Sequence, residues 1–132
     1  MSNEAEKNKT PETQEQDVGA AELVVDEEEM DLAPSTFTHT FKTPFTYAGK
    51  TYESLSFDFE KLTGKDVLSI MQEIRLRGIS LATRTFDVEY QYRYAARCCT
   101  EKIGADVIAA LPAKDFDRIC GAVQRFLVRS AL

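Results

Sequence analysis

The chain has 132 residues, with 22 acidic and 16 basic side chains and a net charge of −6. It contains no apolar run long enough for a membrane span and no N-terminal apolar segment of the signal-peptide kind, so a single soluble, intracellular domain is expected. Cys98, Cys99 and Cys120 form no CxxC motif and accompany one histidine, which argues against a disulfide framework or a zinc site and for burial as small apolar side chains.

The charge is unevenly divided. Residues 1–34 carry 11 acidic side chains and 2 lysines (net −9), whereas residues 35–132 carry 11 acidic and 14 basic ones (net +3). The first segment lacks aromatics and is rich in Glu, Gln, Asn and Thr, so it cannot bury enough apolar surface to offset its ordering entropy and is expected to be a disordered acidic leader. Within it only Leu23 to Leu32, LVVDEEEMDL, combines apolar residues with a compact acidic run. That run reads either as a short docking motif for a basic surface or as a solvated tail.

The domain of residues 35–132 opens with a β-hairpin over 36–59. Phe37, His39 and Phe41 alternate with Thr38, Thr40 and Lys42, and after Ala48-Gly49-Lys50 the residues Leu55, Phe57 and Phe59 alternate with Ser54, Ser56 and Asp58. Pro44 lacks a ladder donor and belongs at an edge or a bulge. A lone hairpin is marginal in water, so it must rest on helices or pair with another chain.

A first helix is expected near 64–77. Thr63 and Asp66 have capping-box spacing, Gly78 fits the terminator, and Val67, Ile70, Met71 and Ile74 form the apolar stripe. A second helix is expected near 86–103. Phe86 to Tyr94 also alternates as a strand would, but the helical reading covers the longer stretch, burying Val88, Tyr92, Ala95, Ala96, Cys99 and Ile103 with Phe86, Tyr90 and Tyr94 at the edge of the stripe. Glu89, Arg93, Arg97 and Thr100 then fall on the opposite side, and Lys102 with Gly104 marks the end. This helix is expected to be the one on which the others pack.

Ala105 to Leu111 reads as a single apolar turn, and Pro112 opens a third main helix near 112–129. Its core face is Phe116, Ile119, Cys120, Val123, Phe126 and Leu127. On its back Arg118, Arg125 and Arg129 lie within about 40° of one another, a stripe able to bind an acidic partner or simply to complement the helix dipole. The expected fold class is therefore α+β, mainly α: an N-terminal β-hairpin packed on about three amphipathic helices, preceded by the disordered acidic leader.

No enzyme constellation is visible. The only histidine, His39, sits among threonines in a strand, and there is no phosphate loop, nucleophile elbow or metal-ligand cluster, so no catalytic residues, cofactor or metal are assigned. A domain charge of +3 with aromatics at core positions gives no nucleic-acid footprint.

The order of three weak motifs carries a resemblance. Phe45-Thr46-Tyr47-Ala48-Gly49-Lys50-Thr51-Tyr52, then Leu62-Thr63-Gly64-Lys65-Asp66-Val67, then Leu111-Pro112-Ala113-Lys114-Asp115-Phe116 with Val123 and Phe126-Leu127 resembles the tail assembly chaperones of long-tailed bacteriophages over roughly residues 41–127. The resemblance implies a non-enzymatic chaperone of the host cell cytoplasm, absent from the mature virion. Such a protein would hold the tape-measure protein soluble and help recruit tail-tube subunits, and family members are often also made in a longer, frameshifted form. On this reading Phe86, Tyr90, Tyr94, Arg118, Arg125 and Arg129 are the candidate partner-binding residues, with self-association through the hairpin left open. Two alternatives stand beside it: a structural tail or connector component of the virion, and a small regulatory protein acting through its acidic leader.

Overall fold

The computed structural model describes residues 35–132, and the expected disordered leader with its LVVDEEEMDL run lies outside the described residues. The chain forms strands β1 (Thr36–Tyr47) and β2 (Lys50–Asp58), then helices α1 (Gly64–Leu76), α2 (Val88–Cys98), α3 (Ala105–Ala109) and α4 (Ala113–Ser130). The α+β class with a leading hairpin is as the sequence led one to expect.

β1 and β2 pair antiparallel around Ala48 and Gly49, whose φ angles of 50° and 81° are both left-handed. Positive φ at both central residues gives the two-residue turn whose twist matches the strands. Thr36 to Thr40 faces Asp58 to Ser54 in one register and Phe45 to Tyr47 faces Tyr52 to Lys50 in another. Between them β1 advances five residues while β2 advances two, so β1 carries three extra residues, and Pro44 lies in this irregular stretch where no ladder N–H is required. The inner face presents His39, Phe41, Leu55, Phe57 and, just past β2, Phe59, all buried.

α1 is punctuated as its sequence demands. The Thr63 N–H donates to Asp66 Oδ2 at 2.9 Å, and at the far end Gly78 (φ 76°) donates to the Arg75 carbonyl at 2.9 Å while Ile79 donates to Ile74 at 3.3 Å. The last two bonds form a Schellman closure, which needs a residue at positive φ. Ile70 and Ile74 are buried, with Val67 and Met71 half-buried beside them.

The second helix is shorter than its periodicity predicts. α2 starts after Asp87, whose side chain accepts the Glu89 N–H at 2.9 Å, so Phe86 precedes it. It ends at Cys98 because the next residues pair with β2: Cys99 adopts an extended conformation (φ −73°, ψ 132°) bridging Phe57, and the Thr100 N–H donates to the Ser56 carbonyl at 2.8 Å. The chain reverses at Lys102 (φ 56°). Gly104 is the N-cap of α3, not the end of α2, and a Cβ there would meet Asp106 Oδ1 at 2.5 Å.

The face assignment of α2 changes as well. Tyr90, Tyr94, Ala95, Ala96 and Cys98 are buried, but so are Gln91 and Arg93, while Val88 is 48% exposed. One helix face cannot account for this. α2 packs against α1, α3, α4 and β2 and is enclosed on nearly all sides, the central role expected of it. Its polar residues meet matching groups instead of solvent. Arg93 Nη1 donates to the Glu89 carbonyl at 2.8 Å and to Glu89 Oε1 at 2.6 Å, with Glu73 of α1 3.6 Å from its Nε, and Gln91 Nε2 donates to the Thr85 carbonyl at 2.6 Å. Such pairing is what permits burial of these groups.

α4 buries Ile119, Cys120, Ala122, Val123 and Phe126, with Phe116 and Leu127 packed at the margin. The three cysteines are free and buried, and burial pushes each thiol up to about 12. Thiols held neutral in this way are poor nucleophiles and metal ligands.

Candidate partner-binding groove

An open groove of about 530 Å³ lies where the end of β2, the start of α1, the α1–α2 connection, α2 and the last turns of α4 meet. Its floor is the buried set Phe59, Tyr90, Tyr94 and Phe126, its walls are the half-buried Leu62, Val67 and Leu127, and Arg84, Glu60 and Ser130 stand at the exposed rim. The floor follows from helical spacing. Tyr90 and Tyr94 are one turn apart on α2, their rings 5.7 Å apart, and Tyr94 lies 6.4 Å from Phe126, which in turn lies 5.5 Å from Phe59.

Polar tips fix these rings. The Tyr94 hydroxyl donates to the Phe59 carbonyl at 2.8 Å, and the Arg84 guanidinium sits 5.7 Å from the Tyr90 ring centre, within cation–π range. Burial raises the pKa of both tyrosines, so the floor carries no charge at neutral pH. Large apolar side chains stand exposed next in sequence to groove residues: Phe86 (56%) follows Thr85, Leu68 (69%) follows Val67, and Leu132 (66%) lies beyond Ala131. An apolar floor with a mixed polar rim and flanking exposed apolar residues has the character of a surface that accepts the apolar stripe of a helix.

The six candidate binding residues do not form one surface. Tyr90 and Tyr94 are 2% and 6% exposed, the floor of the groove rather than its edge, while Phe86 is exposed immediately before α2. Arg118 and Arg125 are exposed on α4, and Arg129 is half-buried with its guanidinium 5.1 Å over the Phe126 ring. None of the three arginines lines the groove. Phe59, Leu62, Val67 and Leu127 do; the sequence assigned Phe59, Val67 and Leu127 to apolar faces and named Leu62 only within a motif, because amphipathic periodicity marks which side chains face inward and not where the inward faces leave a gap.

At the other end of α4, His39 and Asp115 meet, Nε2 lying 2.6 Å from Oδ1. His39 is 5% exposed, so the strand histidine is a buried group with a side-chain partner. This pair and Pro112 line a cavity of about 300 Å³ together with Thr40, Lys42, Thr43, Lys114 and Arg118. Among the described residues no group of His, Cys, Asp and Glu is arranged to hold a metal, and no helix is long and apolar enough to cross a membrane.

Residues 38–128 match the model of the family described as phage tail assembly chaperone proteins, E, or 41 or 14. Neither the curated proteins nor the solved structures contain a match to this chain.

Proposed function

The chain belongs to the phage tail assembly chaperone family, and from that premise we propose that it binds the phage tape-measure protein, keeps it soluble and helps recruit tail-tube subunits during tail assembly. The observation that carries this reading is the groove floored by Phe59, Tyr90, Tyr94 and Phe126. A tape measure is a long, largely helical polymer, and until a tube encloses it each apolar stripe faces water. A groove of this size takes a few successive apolar side chains at i, i+3 and i+4 spacing. Phe86 extends the contact beyond the rim. Binding and release need no chemical step, so the role is non-enzymatic, acts in the host cytoplasm and ends before the virion is complete.

The test is co-expression with the tape-measure candidate of the same genome, following the soluble fraction of the long protein and what co-purifies with it. The expected result is that the long protein is soluble only with this chain present, and that Phe86→Asp, at a side chain 56% exposed, abolishes the effect while leaving the chaperone folded. A tape measure equally soluble alone, with nothing co-purifying, overturns the reading. Recovery of the chain from purified virions would instead favour a structural tail component.

A further inference from the structure

We propose that the cavity between β1 and the start of α4 is a second binding site, separate from the groove, for a carboxylate-rich segment of a partner protein. Lys42 of β1 and Lys114 and Arg118 of α4 line one space of about 300 Å³ together with the Thr40 and Thr43 side chains. Three cations therefore face a single carboxylate, Asp115, and Asp115 Oδ1 is already occupied by His39 at 2.6 Å. Among the described residues no salt bridge joins Lys42, Lys114 or Arg118 to a carboxylate, and all three are exposed. Two other arginines behave differently: Arg93 and Arg97 are each paired with acidic residues of α1 or α2.

The local structure holds these cations together. The irregular stretch between Thr40 and Phe45 carries Lys42 and Thr43 out of the regular ladder, and the His39–Asp115 contact ties that strand to the first turn of α4. Lys114 and Arg118 are one turn apart and so share a face of the helix. Pro112, the N-cap of α4, has no side-chain acceptor to offer the first-turn N–H groups, which adds to the positive potential without making the site by itself.

The spread of charge selects the ligand. A single phosphate is held where donors converge on one point. Here the cations come from two elements and are separated along α4 by about 6 Å of helix rise, which suits two or three carboxylates at separate points on an acidic peptide. No residue is shared with the groove, so the two sites can be occupied by one partner or by two, and this inference does not depend on the tape-measure reading.

The experiment uses the full chain with a labelled glutamate-rich peptide and its glutamine counterpart, read by fluorescence anisotropy and by amide NMR shifts. The glutamate peptide should bind, move the Thr40, Thr43 and Lys114 amides, and lose affinity as salt is raised. Lys42→Ala with Arg118→Ala should weaken binding roughly tenfold at an unchanged thermal midpoint, and Arg118→Lys should retain most of it. Equal binding of both peptides, shifts confined to other residues, or an unaffected double variant overturns the proposal. So does displacement of the peptide by inorganic phosphate or by a short oligonucleotide that binds the same residues more tightly.

Discussion

His39 on β1 and Asp115 on α4 are 76 residues apart in sequence, and their side chains meet at 2.6 Å. With His39 5% and Asp115 23% exposed, this contact fastens the hairpin to α4 through a part-buried pair. Asp115→Ala leaves the imidazole buried without that partner and should cost about 1–3 kcal/mol by urea denaturation. His39→Leu added to that variant should recover part of the loss, because both polar groups are then gone. A double variant as unstable as the sum of the two single ones would contradict this coupling.

Tyr94 and Phe86 separate the stability of the groove from its use. Tyr94→Phe removes the donor to the Phe59 carbonyl and should lower stability by about 1 kcal/mol while leaving the apolar floor intact. Phe86→Ala should change stability by less than about 0.5 kcal/mol, since Phe86 is 56% exposed, yet weaken tape-measure capture in the co-expression assay. The opposite pattern would place the binding surface elsewhere.

Asp66 makes the start of α1 sensitive to acid. The Thr63 N–H and then its hydroxyl hold the carboxyl below the ordinary value of 3.8; desolvation opposes them, and the nearby Arg97 and Lys61 charges add weaker support. A lowered folded pKa stabilises above the unfolded value and loses that contribution as pH falls through the folded one. Asp66→Asn should therefore be less stable than the parent at pH 7, and the gap in denaturation midpoint should close as pH is taken below about 3.8. A gap independent of pH would assign the loss to packing.

The thiols predict alkaline behaviour of the reverse sign. Burial raises Cys98, Cys99 and Cys120 from 9.0 to about 12, so the folded chain keeps them protonated after the unfolded chain begins to ionise. Their contribution to stability is complete below pH 9 and is lost as pH rises towards 12. At pH 8 a thiol reagent such as DTNB should label none of the three in the folded protein and all three in urea. Rapid labelling of the native chain would show that the core opens locally.

Several elements were legible in the residues themselves. The Thr63/Asp66 cap and the Gly78 closure are built from neighbours in sequence, so their spacing was enough to place α1. Alternation marked the inward face of the hairpin, and Pro44 signalled the break in its ladder. The three motifs in order carried the family, which the match over residues 38–128 bears out. Less legible was α2, where Arg93 looked like a solvent-facing residue until Glu73 and Glu89 were seen beside it.

What the sequence by itself determined was the cap and terminator of α1, the inward face of the hairpin and the family to which the chain belongs. Only the tertiary structure decided where α2 stops, because the Phe57–Cys99 bridge is a contact between residues 42 positions apart that outweighs the helical periodicity of the segment. It also decided the groove and the basic cavity, since both lie between elements. Periodicity reports which way a side chain points along its own helix or strand, whereas a binding surface is set by the distances between those elements.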